Sequence, residues 1–143
     1  MLNAHTQYEV FEHEHRVLRA GIETLRRALA EENPGNKAEL LKHLEAVQAQ
    51  LADHFAFEES FGFKRHLRLM ESALDPTLDR LLAAHREILA SLASASSGLR
   101  TGWPWPAVRS TVLSTLEALA DHELDEHQLL HVVWRRSRLP PTA

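Results

Sequence analysis

The sequence contains no cysteine. Disulfides, iron–sulfur clusters, thiolate zinc sites and cysteine nucleophiles are therefore excluded together. A chain without disulfides suits a reducing compartment, so a cytoplasmic location is expected. Glycine and proline are scarce, at 5 and 6 in 143 residues, and they gather at a few breaks, which leaves long stretches free to be helical. No apolar run approaches the roughly 20 residues of a membrane span. The start, Met1 to Gln7, has neither a charged segment nor an apolar one, so no signal peptide is expected. Nothing alternates with period two, so no strand is assigned. Basic residues are scattered apart from Arg135, Arg136 and Arg138, and the formal net charge is −4. Nucleic acid is therefore not an expected partner. What the chain does have is histidine: ten of them, beside a single tyrosine.

The breaks divide the chain into four helices. Asn33-Pro34-Gly35-Asn36 is a turn cluster, Asp75-Pro76 reads as a capped helix start, and Gly98 to Pro106 reads as a loop. Helix 1 is expected from about Tyr8 to Glu32, with Val10, Val17, Leu18, Ile22, Leu25 and Leu29 as its apolar set. Helix 2 starts near Lys37. Helix 3 spans about Pro76–Ser97 and helix 4 about Pro106–Ser137. The expected fold is all-α, an up-down-up-down four-helix bundle, with residues 1–143 as one domain.

The two halves repeat. Leu51-Ala52-Asp53-His54 is followed by Glu58, and Leu119-Ala120-Asp121-His122 by Glu126. His15 and His85 occupy matching places on the first helix of each half. The midpoint between His15 and His54 falls on Pro34-Gly35, and that between His85 and His122 on Trp103-Pro104. Both midpoints are turns, so each histidine pair should face across its hairpin at one depth. A helix advances about 100° per residue. Each Glu therefore sits about 40° from the His four residues before it and about 6 Å along the axis.

Four imidazoles and two carboxylates thus converge in the core. Buried ionisable groups need partners, and a metal pair supplies them. The expected ligands are His15, His54, Glu58, His85, His122 and Glu126. With both glutamates bridging and an oxo or hydroxo bridge, each ion has five donors. A six-coordinate iron would keep a position for oxygen, nitric oxide or peroxide.

These residues resemble the hemerythrin-like family, also called the HHE cation-binding domain, over nearly the whole chain. The resemblance implies a non-haem di-iron centre in a four-helix bundle and favours iron, with zinc or manganese as substitutes. Two departures matter. Oxygen-carrying hemerythrins have a fifth histidine one turn before the residue matching His85, where this chain has Leu81. They have an aspartate where it has His127. The set looks more like that of bacterial di-iron proteins implicated in repair of iron centres and in nitric oxide or oxygen responses. Those often carry a cysteine-bearing segment, and this chain has no cysteine. The departures speak against reversible oxygen storage and against a direct repair role.

Other residues are read more plainly. His127 lies about 140° round from His122 and His131 about 180°, so both should sit off the site. The pair could bind adventitious zinc. Glu59, His5, His13, His43 and His66 read as surface residues, and Asp53 and Asp121 as solvated. Glu12 is a candidate partner of the site, and Tyr8 could line it. Phe55, Phe57 and Phe61 read as core, while Trp103 and Trp105 should cap the loop end. Depth-matching Glu58 with His85 requires helix 2 to break near Ser60-Phe61-Gly62, leaving 64–72 as a separate short element. Three functional classes follow: a module that binds or senses oxygen or nitric oxide or handles iron; a di-iron peroxidase, oxidase or nitric oxide reductase; or a structural bundle with incidental metal. A homodimer is left open.

Overall fold

The computed structural model describes residues 4–31, 35–60 and 75–138. Four helices account for them: α1 (Ala4–Leu29), α2 (Lys37–Ser60), α3 (Asp75–Thr101) and α4 (Trp105–Arg138). Among the described residues there is no strand, and no helix is long and apolar enough to cross a membrane. Each helix packs on two others, in the cyclic order α1, α2, α3, α4. This is the expected up-down-up-down bundle.

Local chemistry sets the helix ends. Asn36 caps α2: its side-chain oxygen accepts from the Glu39 backbone N–H at 3.1 Å. At the end of α3, Gly102 takes φ +87°, and the Trp103 N–H donates to the Gly98 carbonyl at 2.8 Å. That six-to-one bond is the Schellman stop. It corrects the expectation of a loop from Gly98, because the helix runs on to Thr101. The reason is tertiary. The Trp103 ring lies so close over Gly98 that an added Cβ would stand 2.2 Å from it, while Leu99 is buried in the core. The start of α1 is likewise earlier than expected, at Ala4.

The core runs in two storeys. Toward the two hairpin turns it is apolar, with Leu25, Leu44, Leu92 and Val112 among its members. Trp105 closes that end, half-buried, with its Nε1–H donating to the Glu31 carbonyl at 3.3 Å. Farther along, beyond Leu18, Leu51, Ile88 and Leu119, the interior turns polar. One apolar residue is misplaced by the sequence reading: Val17 is 46% exposed. The inward stripe of α1 runs through His15, Leu18, Ile22, Leu25 and Leu29, and Val17 lies about 200° from His15 on that helix.

The expected break at 60–62 and the short element at 64–72 lie outside the described residues, apart from Ser60, where α2 ends. The side chains of His5, Tyr8, Val10, Phe61, His66 and His131 are outside them too.

Candidate metal centre

Every helix contributes to the polar storey. His15 comes from α1, His54 and Glu58 from α2, His85 from α3, and His122 and Glu126 from α4. All six are buried, none more than 4% exposed. The i,i+4 spacing works as geometry demands. His54 Nε2 stands 2.6 Å from Glu58 Oε1, and His122 Nε2 abuts Glu126 Oε1.

The hairpin pairing also holds. His15 Nε2 and His54 Nε2 approach to 3.0 Å, and the rings of His85 and His122 sit edge to face at 4.7 Å. The glutamates reach across. His85 Nε2 is 3.0 Å from Glu58 Oε2 and 3.0 Å from Glu126 Oε1. His15 Nε2 is 3.9 Å from each glutamate.

These contacts sort into two groups whose donor atoms lie within 4.8 Å of one another. One is His15, His54, Glu58 and Glu126; the other is Glu58, His85, His122 and Glu126. Both glutamates belong to both groups. Each group could hold a metal ion, with nitrogen and oxygen donors that suit iron, manganese or zinc.

The protonation states fit cations. His54 Nδ1–H donates to Glu14 Oε2 at 2.9 Å, which leaves the Nε2 lone pair facing the centre. Burial holds His15 neutral: its pKa falls from 6.5 to about 3, with His54 adding repulsion. Burial, then the charge of Glu126, pushes Glu58 well above its ordinary value. Burial opposes ionisation of Glu126 as well, but short contacts with Glu58, His122 and His85 hold its carboxyl well below the usual range. A neutral His15 imidazole, an ionised Glu126 carboxylate and a Glu58 carboxyl that keeps its proton while no cation offsets its charge belong to a donor set that lacks positive charge. Glu126 Oε2 is buried without a hydrogen-bond donor. A cation satisfies all of this at once.

Phe55 lies among the candidate donor side chains as well as in the core. Its ring stacks on His85 at 3.8 Å and meets His122 edge-on at 5.7 Å. Beside the second group is a cavity of about 20 Å³, lined by Glu58, Glu59, Leu78, Leu81, Leu82, His85 and Glu126. That is room for about one water-sized molecule.

Two residues were not anticipated in their roles. Glu14 orients His54, and Glu59, half-exposed as expected, stands 3.8 Å from His85 Nδ1. Glu14 reaches His54 from the position just before His15, a contact set by how α1 lies against α2. His127 is nearer than its helical angle suggested. It stacks on His15 at 6.3 Å and lies 3.3 Å from Glu12 through Nδ1, so Glu12, His15 and His127 form a third, shallower group. Asp53, Asp121 and His13 are exposed, and His43 is half-exposed beside Glu39.

The family model of the hemerythrin HHE cation-binding domain matches residues 6–133. The chain belongs to that family. No curated protein and no solved structure matches it. A hemerythrin HHE domain is a four-helix bundle that binds cations, and the buried His/Glu cluster described above is where this chain could bind one.

Proposed function

We propose that this chain is a single di-iron domain that binds or senses oxygen or nitric oxide, or handles iron. The carrying observation is that Glu58 and Glu126 belong to both donor groups. Two shared carboxylates between two pairs of imidazoles suit a bridged pair of ions better than one isolated ion. His15 and His54 would hold the first ion and His85 and His122 the second. Bound there, two oxo- or hydroxo-bridged irons would supply redox chemistry and a coordination position for a diatomic ligand or peroxide.

The protein's own part is positional. Glu14 fixes the tautomer of His54 through a 2.9 Å bond. Phe55 and the leucines above the second group keep water sparse around the donors. The cavity of about 20 Å³ favours small ligands over organic substrates. Elemental analysis after iron loading, with an absorption spectrum of the same sample, tests the reading. Two irons per chain and a spectral change when the reduced form meets oxygen or nitric oxide are expected. One labile zinc would overturn it, and two irons with no response to either gas would leave only iron handling. Sustained turnover of peroxide with a reductant would move the chain to the enzymes.

A further inference from the structure

A second depression adjoins the site. Between α3 and α4 runs an open groove of about 600 Å³, whose lining includes Thr77, Arg80, Leu81, Asp121, His122 and Leu129. It reaches solvent on one side and the back of His122 on the other. The small cavity at Glu58, His85 and Glu126, whose lining also includes half-exposed Glu59, lies next to it. Among the residues lining the two spaces, Leu81 alone belongs to both.

Leu81 is 7% exposed, while Leu78, which lines only the cavity, is 2% exposed. It is therefore the side chain that the two walls share. Its neighbours explain why it holds that place. Leu78 and His85 lie one turn away on either side of it on α3, so Leu81 shares the inward face but comes at its edge. The groove wall beside it is polar, through Arg80, Asp121 and Asp125, and the cavity wall is three leucines, Glu59 and the donors Glu58, His85 and Glu126. A leucine side chain has no hydrogen bond to break on moving. It can move aside by rotating about χ1 and χ2.

Building on the di-iron reading above, the geometry points to Leu81 as the gate through which small ligands pass between solvent and the His85 side of the centre. Ligands enter from the α3–α4 groove, cross at Leu81 and meet the second group, not the His15–His54 side. Leu81 is a residue that controls access, and it is not itself a ligand.

A gate changes how fast a ligand enters and leaves, not how tightly it is held. The test is stopped-flow binding of azide and of nitric oxide to the iron-loaded full chain, followed by the spectrum of the centre. Leu81→Ala should speed association and dissociation together by about tenfold, the scale of one strained side-chain rotation. Leu81→Phe should slow both, and Kd should stay within about threefold in each. Leu81→Val, a smaller truncation, should move the rates in the direction of alanine and serves if alanine does not fold. Iron content and far-ultraviolet circular dichroism check each variant. Unchanged rates in the Leu81 variants, or acceleration in Leu82→Ala in their place, would overturn the gate while leaving the di-iron reading standing. A wild-type protein with two irons that responds to neither probe would remove the gate and the ligand-binding role while leaving the di-iron centre standing, and a wild type without two irons would remove the reading on which the gate rests.

Discussion

His85 on α3 and Glu58 on α2 meet at 3.0 Å, although they belong to different halves of the repeated chain. The same His85 nitrogen lies equally close to Glu126 of its own half. One imidazole thus touches both carboxylates, so on the di-iron reading the two halves would not hold their ions independently.

Truncating a shared carboxylate should therefore cost both ions. In Glu126→Ala, iron content is expected to fall from two per chain toward none. His15→Ala, which belongs to only one of the two groups that share the glutamates, should lose one ion more readily than the other. Elemental analysis of the two proteins, purified side by side, checks this. Retention of one full iron in Glu126→Ala would contradict the bridging arrangement.

Glu14 reaches the centre only through His54. Replacing it with glutamine removes the charge that fixes the ring, and partners of this kind typically contribute about 10- to 100-fold in metal affinity. Competition with a chelator should show a loss of that order in Glu14→Gln. Glu59→Gln should lose less, because Glu59 is half-exposed and 3.8 Å from its histidine.

The metal-free protein should weaken in acid. His15 has a folded pKa of about 3 against 6.5 when unfolded. Between those values the unfolded chain binds a proton that the folded one refuses, so stability is complete above pH 6.5 and declines as pH falls toward 3. Glu126, depressed in the fold, acts in the same sense below its ordinary range. Glu58 is raised and acts oppositely, stabilising most at low pH and losing that contribution as pH rises above 4.5. Denaturant midpoints measured across pH for wild type and His15→Gln isolate the first effect: the variant should show a shallower slope between pH 6.5 and 3.

The turn between α3 and α4 can be tested apart from the centre. Gly98→Ala places a methyl group 2.2 Å from the Trp103 ring and should destabilise by about 1–3 kcal/mol, as overpacking does. Gly102→Ala forces a side chain onto φ +87° and should cost about 1 kcal/mol. Thermal melts measure both, and iron per chain should not change in either.

Much of this was legible beforehand because helical geometry is regular. The spacing of His54 to Glu58 and of His122 to Glu126 set the angles. The turns at Pro34-Gly35 and Trp103-Pro104 set the depths, and the six residues meet in the core as those two rules require. What escaped depends on packing angles that no single helix encodes. Glu14 reaches His54 only through the way α1 lies on α2, and His127 stacks on His15 through the approach of α4 to α1. The continuation of α3 past Gly98 was hidden because glycine reads locally as a stop. A tryptophan five residues on fills the space that the missing side chain leaves. Val17 shows the converse error, an apolar residue with helical spacing that faces water.

The two storeys of the interior give the molecule an uneven grain. At the turn end leucines and valines hold the helices together with nothing added. At the other end the helices converge on nitrogen and oxygen atoms that repel or stay unsatisfied until a cation joins them. Metal loading should thus act as the last stitch in a seam already sewn from one side. Backbone amides near Leu44, Leu92 and Val112 should resist deuterium with or without iron. Those near His54, His85 and His122 should gain their resistance only when the ions arrive.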